Sequence, residues 1–292
     1  PTFSQQGELT AKAAAELGLK AGTVVAYRAG DQPNNAFSLN VLNPGEVAAT
    51  AGTSGVVYGV GSQPEYDQRS RVNTFLHVNH TFQDPRYGIL LCLNGTGILN
   101  RWMKQNVMND AVSYDEMNRL ASEVPAGAEG LMIFPYGNGA ERTLENKEIN
   151  ASIHGLNFNL HQRGHLLRAA QEGIIFALNY GLGIMKKMGV EIKLVRAGEA
   201  NMFLSPLFGE VFATVTGARV ELYNTDGAQG AARGAGLGAG IYTDPKEAFA
   251  GLKTEKTIEP NTKLVPVYQE LYQKWAAVLQ AQLKNKGGFI YG

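Results

Sequence analysis

The sequence carries one cysteine in 292 residues, which excludes an internal disulfide. Cys92 sits in the apolar run Ile89-Leu90-Leu91-Cys92-Leu93, so a buried strand thiol is expected rather than a reactive one. An excess of charge is missing too, since Lys and Arg total 26 and Asp and Glu total 26. Without a basic surplus there is no general electrostatic attraction to nucleic acid or to an acidic membrane surface. Charged residues are few altogether, 18% against about 25% in an average soluble protein. The longest apolar stretch, Gly173 to Met185, is too short for a membrane span and is interrupted by Asn179. No secretory signal pattern opens the chain, and a cytoplasmic enzyme-like protein is expected.

Glycine, by contrast, is abundant: 35 of 292 residues, about 12% against a typical ~7%. These glycines are interleaved with Val, Ile, Leu and Phe rather than with Ser, Gln and Glu. That pattern excludes a disordered tract and points to backbone that turns tightly or approaches a ligand closely. The length allows a large core without disulfides, in two compact units or one large α/β unit.

Ala11 onward reads as a short helix capped by Thr10 and closed by Gly18. Thr23-Val24-Val25-Ala26-Tyr27 reads as a buried strand running into Gly30-Asp31-Gln32. Short segments at 47–51, 55–60, 73–78 and 88–93, punctuated by glycine and proline, suggest an antiparallel meander feeding a mixed sheet. The second half turns helical. Arg163 to Lys187 repeats apolar side chains at Leu167, Ala170, Ile174, Leu178 and Met185, near the 3.6 period. A strand at 192–195, a helix over 202–216 ended by Gly217, a strand at 220–223 and a glycine/alanine helix over 229–242 follow. A last helix covers 267–283. Alternation of this kind means an α/β layered core. The break near 125–131 separates two lobes of one domain, not two domains.

Several places carry candidate chemistry. Asp31, directly after a strand, can take a proton from a hydroxyl, as phosphoryl transfer requires to orient its nucleophile. It can equally cap a helix beginning at Pro33. Gly52-Thr53-Ser54-Gly55 forms a turn of small residues whose N–H and hydroxyl groups can cradle a phosphate, and a plain hairpin would use the same residues. It is no Walker loop, because the chain has no Gly-Lys pair, and no nucleophile elbow, because Val56 replaces the second glycine. Gly198, Glu199 and Asn201 lie where a strand turns into a helix; bare backbone there admits a flat base, and a tight turn explains it as well. The glycines of 227–240 favour close helix packing, and Ala239 breaks a dinucleotide fingerprint. The five histidines, His77, His80, His154, His161 and His165, show no zinc pattern and are expected to be structural.

In order, these residues resemble the C-terminal domain of the FGGY carbohydrate kinases. The features are Gly30-Asp31-Gln32, then Gly52 to Gly55, then Phe134-Pro135-Tyr136 with Glu141-Arg142-Thr143, then the glycine turn at 198. Ala151-Ser152-Ile153-His154-Gly155-Leu156, followed by His165-Leu166 and Ala169-Ala170-Gln171-Glu172, is similar to the family's second signature. Gln171 stands where that signature carries an apolar residue. The resemblance runs from about Gly7 to Gly251, with the xylulose kinases as the most similar members.

The resemblance implies a ribonuclease-H-like (actin-like ATPase) α/β domain over 1–292, a mixed central sheet with helices on both faces. It implies ATP-dependent phosphorylation of a ketopentose, D-xylulose to D-xylulose 5-phosphate, by a full-length enzyme of which this is the C-terminal half. Glycerol, gluconate or another pentulose would keep the same chemistry. Family members place the active site between two such domains, the N-terminal one bringing an Asp-x-Gly-Thr loop and most sugar-binding groups. Nothing here supplies that loop, and Pro1 opens the chain without an initiator Met, so the N-terminal domain is expected as the missing partner. By the same resemblance Asp31 is the general base, and Thr53, with Gly52, Ser54 and Gly55, meets the γ-phosphate. Gly198, Glu199 and Asn201 border the adenosine, and Mg2+ bridges the phosphates. A homodimer is compatible with this. A non-catalytic nucleotide-binding module is the alternative from another class.

Overall fold

The computed structural model describes residues 1–285, so the last seven of the domain expected over 1–292 lie outside the described residues. The chain opens with a two-stranded antiparallel ribbon, β1 (Phe3–Glu8) against β2 (Val24–Tyr27), joined through helix α1 (Ala11–Leu17). Thr10 caps α1 by accepting from the Ala13 N–H, and Gly18 closes it at φ +68°. Helix α2 (Asp31–Ser38) follows. Then come β3 (Glu46–Ala51), β4 (Gly55–Gly61), β5 (Asn73–Leu76) and β6 (Tyr87–Leu93). Two helices, α3 (Gly97–Trp102) and α4 (Tyr114–Ser122), precede a small hairpin of β7 (Met132–Phe134) and β8 (Ser152–His154). The long α5 (Arg163–Lys187) leads to β9 (Leu194–Gly198), α6 (Pro206–Thr216), β10 (Arg219–Tyr223) and α7 (Gly227–Gly238). A short α8 (Pro245–Phe249), β11 (Thr254–Ile258) and α9 (Val265–Asn285) complete the described residues.

The central sheet has seven strands in the order β11-β10-β9-β3-β4-β6-β5. Strands β3, β4 and β6 form the antiparallel meander, β9 lies parallel to β3, and β10 lies parallel to β9. Three antiparallel strands followed by two parallel ones on the far side of the first is the ribonuclease-H-like arrangement, here extended at both edges. β5 does not continue the meander in chain order; it pairs with β6 at the edge.

Side-chain alternation divides β3 between two layers. Val47, Ala49 and Ala51 enter the main core with Ile174, Leu178 and Leu182 of α5, Phe208 and Phe212 of α6, and Trp275 of α9. Ala48 faces the other layer, with Ala36 and Leu39 of α2 and Tyr58 of β4. Helices therefore cover both faces. Among the described residues no helix is long and apolar enough to cross a membrane.

Four local expectations change. The strand before Asp31 is not buried in the central sheet: Val24 and Val25 are 45% and 39% exposed, because β2 has only β1 beside it. The strand expected at 192–195 starts at Leu194 and runs on to Gly198, where it pairs with both β3 and β10. The helix expected over 202–216 is interrupted: Ser205 accepts from the Phe208 N–H and Pro206 opens α6, so Asn201–Leu204 is a separate 3-10 turn. Cys92 is half-buried, since on β6 it alternates with Ile89, Leu91 and Leu93 and projects from the other face.

The histidines are tied into the fold. His77 is buried, with Nδ1 3.0 Å from the Tyr58 hydroxyl and Nε2 2.9 Å from the Val41 carbonyl oxygen. Burial lowers its pKa to about 4, so it is neutral at physiological pH. His165 accepts from the Gln162 N–H at the head of α5.

Candidate functional site

Helix α2 carries Asp31 as its first residue, with Gly30 as the N-cap. The carboxylate is exposed and accepts the Gln32 N–H at 2.8 Å; it caps nothing further along the helix. What places Asp31 is the packing of α2 on α7. A Cβ on Gly230 would stand 2.7 Å from the Ser38 Cβ, and one on Gly227 2.8 Å from Asn35 Oδ1, so the two helices touch backbone to side chain. Asn34 Nδ2 donates to the Gly227 carbonyl at 2.8 Å, and the Ser38 hydroxyl meets that of Thr225 at 2.8 Å. The glycine-rich 227–238 segment is thus a packing surface, as its small side chains suggested.

The β3–β4 turn, Gly52 to Ser54, projects from the sheet beyond the Ala51–Gly55 pair. Thr53 is exposed, and the N–H groups of Thr53 and Ser54 have no backbone partner among the described residues. The turn is clamped from the α3 side: Gly97 N–H donates to the Gly52 carbonyl at 2.8 Å and Ile98 N–H to that of Thr53 at 3.2 Å. Both carbonyls are thereby occupied, and the amides are the groups left to face a ligand.

On the other side lies the β9–α6 turn. Gly198 ends β9, and a Cβ there would meet nothing closer than 3.7 Å, from the Thr225 carbonyl. Asn201 adopts φ +55°, a left-handed conformation that Asn tolerates better than most residues. Its side-chain amide lies against Gly52, 3.6 Å from where a Cβ on that glycine would sit.

Two cavities meet at Asn201. A crevice of about 180 Å3 lies between α2, Gly198 and Gly227. A larger cavity, about 430 Å3, is walled by Gly52, Thr53, Gly97, Ile98, Arg101, Tyr114, Asn118, Asn201 and Ser205. Only the second falls in the size range of small-molecule sites. Gly198 lines the first, Gly52 and Thr53 the second, Asn201 both, and Glu199 neither.

Gly97, Ile98, Arg101, Tyr114 and Asn118 belong to α3 and α4, which no motif in the sequence announced. The one usable signal was Ser113-x-x-Glu116, where Ser113 accepts the Glu116 N–H at 3.2 Å and starts α4. Gln171 also gains a function here. Buried in α5, it accepts from the Ser205 hydroxyl at 3.0 Å and donates to Asn118 Oδ1 at 3.0 Å, joining two walls of the larger cavity. An apolar residue could not make that bridge.

Cys92 pairs with Val56, two residues beyond Ser54, and its thiol pKa is raised chiefly by burial and then by Glu141, against an opposing Arg142. Asp31 itself lines neither cavity. Glu141 is buried, and burial pushes its carboxyl up to about 7 although the Asn94 and Gly95 amides favour the charged form.

Residues 47–241 match the model of the FGGY family of carbohydrate kinases, C-terminal domain. The chain is 29% identical over 284 residues to a xylulose kinase of Staphylococcus epidermidis, covering 95% of this chain and 55% of that protein. It is 27% identical over 286 residues to an L-xylulose/3-keto-L-gulonate kinase of Escherichia coli, covering 94% and 54%. A crystal structure of xylulose kinase from Rhodospirillum rubrum superimposes with a TM-score of 0.84 at 27% identity, over 96% of this chain and 56% of the other. The chain thus spans about half the length of the curated relatives it matches.

Proposed function

The chain belongs to the FGGY family of carbohydrate kinases, and from that premise we propose that it is the nucleotide-binding half of an enzyme that phosphorylates a ketopentose, D-xylulose, with ATP. The missing partner in this proposal is an N-terminal domain carrying the rest of the sugar site. One observation carries the proposal: a turn with two free amides and the Thr53 hydroxyl opens onto a ligand-sized cavity.

Within that proposal, the cavity walled by Ile98, Tyr114, Asn118 and Asn201 takes the adenosine. The Thr53 and Ser54 amides and the Thr53 hydroxyl receive the γ-phosphate, whose growing negative charge they stabilise. Asp31 accepts the proton of the attacking sugar hydroxyl. That oxygen forms the new bond to phosphorus as the bond to the ADP oxygen breaks. No group of three metal-binding side chains occurs among the described residues, so Mg2+ would be held chiefly by the phosphates and water, and it would neutralise phosphate charge.

The sugar is the open term, since the Escherichia coli relative is named for L-xylulose and 3-keto-L-gulonate. A substrate panel on the two-domain enzyme, scored by ADP release, tests it. D-xylulose is expected to exceed glycerol, gluconate and other pentuloses; equal turnover of xylulose and glycerol rejects the choice. The isolated chain is expected to bind ATP weakly and to turn over no sugar.

A further inference from the structure

Glu141 is 1% exposed, yet it belongs to neither cavity and to no step of the proposed reaction. Its backbone is fixed by a small loop: Glu141 N–H donates to the Lys147 carbonyl, and its own carbonyl accepts from Leu144 and Asn146. That loop delivers the carboxylate to the end of β6. There Oε1 accepts the Asn94 N–H at 2.7 Å, while Asn94 Nδ2 returns a bond of 3.0 Å to the Ala140 carbonyl. Oε2 is buried without a hydrogen-bond partner among the described residues.

The segment so anchored is short and constrained. A Cβ on Gly95 would lie 1.4 Å from the Pro135 carbonyl oxygen, so the chain here runs tight against the loop that follows β7. Thr96 is fully buried and donates back to Leu93. The next two residues, Gly97 and Ile98, are the donors that clamp the Gly52 and Thr53 carbonyls. A continuous path therefore runs from one carboxylate, through four consecutive residues and a second hydrogen-bonded step, to the turn proposed to meet phosphate.

We propose that Glu141 is a positioning residue for the β3–β4 turn, holding the Asn94–Gly95 backbone so that the Gly97 and Ile98 N–H groups fix the carbonyls, and hence the amides, of Gly52 to Ser54. The reach of the side chain matters more than its charge. Gln at 141 keeps an acceptor oxygen at the same distance. Asp keeps the charge and withdraws it by one methylene, out of range of Asn94. The ligand part of the test rests on the proposal that this turn receives the γ-phosphate; the structural part does not.

The test compares wild type, Glu141→Gln and Glu141→Asp as the 292-residue chain, with two readouts. Amide hydrogen exchange at Gly97 and Ile98 reads the clamp directly. Calorimetric titration with ATP and with ADP reads how much the γ-phosphate adds to affinity. The Gln variant is expected to match wild type in both. The Asp variant is expected to exchange faster at Gly97 and Ile98 and to lose about tenfold of its ATP-over-ADP preference, the upper end of one ordinary hydrogen bond. Glu141→Met, similar in volume and without an acceptor, is the second variant if Asp does not fold, with the same expected outcome. Wild-type exchange at Gly97 and Ile98 in the Asp or Met variant overturns the proposal, as does an effect confined to the Gln variant. A wild-type chain that fails to distinguish ATP from ADP sinks the phosphate assignment instead, and the exchange data still decide the role of Glu141.

Discussion

Gly97 and Gly52 meet backbone to backbone. The Gly97 N–H donates to the Gly52 carbonyl at 2.8 Å, and a Cβ on Gly97 would sit 2.3 Å from that same oxygen. The contact ties the start of α3 to the β3–β4 turn and leaves no room for any side chain at 97. Gly198, across the cavities, is different, because a Cβ there meets only ordinary van der Waals distances. One glycine is required by the fold, and the other by nothing in the folded chain itself.

Gly97→Ala is accordingly expected to destabilise the protein by about 1–3 kcal/mol, the usual cost of forcing an extra methyl into a packed contact. The turn must shift away, so ATP affinity should fall in the same variant. Thermal unfolding alongside ATP titration checks both; an unchanged melting temperature would contradict the contact.

Gly198→Ala should leave stability unchanged or raise it by about 0.4–1 kcal/mol, since alanine restricts the unfolded chain at a position whose native φ is not left-handed. If the adenosine passes over this residue, nucleotide affinity drops while the fold holds. Full retention of ATP and ADP binding would remove Gly198 from the site.

For Asp31→Asn in the two-domain enzyme, kcat is expected to fall by about 10²- to 10⁴-fold, the usual contribution of a general base. Stability should hardly move, because among the described residues the exposed carboxylate bonds only to its neighbour Gln32. Measuring kcat beside the melting temperature separates the roles, and turnover within about threefold of wild type, ~0.65 kcal/mol in barrier, would exclude Asp31 as the base.

Glu141 gives a pH dependence whose sign follows from its burial. The folded carboxyl titrates at about 7 and the unfolded one near ~4.3, so between those values the folded state holds a proton that the unfolded state has released. This contribution to stability is fully present below about pH 4, is lost as pH rises toward 7, and levels off above. Its size is roughly 3–4 kcal/mol. Glu141→Gln should therefore remove a downward slope in stability over pH 4.5–7 that wild type shows; identical slopes in denaturant titrations across that range would rule out a raised carboxyl.

Much of the architecture was legible because it rests on local rules. The 3.6-residue repeat of Leu167, Ala170, Ile174 and Leu178 gave α5 at its observed ends, and all four side chains are buried. Thr10 with Gly18, and Gly217 after α6, marked helix ends through capping geometry that a few residues decide by themselves. The ordered set of Asp31, Gly52 to Gly55 and Gly198 led to the family. Helices on both faces of the sheet were expected through that resemblance, and the two layers that β3 feeds agree with it.

Tertiary structure alone decided the rest. Nothing local distinguishes β2 from a central strand; its place in a separate ribbon follows from pairing with β1, a segment without clear alternation. Whether Asp31 would end a strand or begin a helix depended on α7, whose glycines admit Ser38 and Asn35 at contact distance and so set the course of α2. The cavity walls on α3 and α4 join distant parts of the chain, and the Gln171 bridge between Asn118 and Ser205 and the reach of Glu141 to Asn94 join residues 34 to 53 positions apart. The sequence by itself determined the elements, the order of the motifs and the kinship, because these depend on neighbours within a few residues. Which amides, carboxylates and amide side chains meet around one cavity was decided only when the sheet and its two helical layers closed, because such contacts exist only between elements that folding brings together.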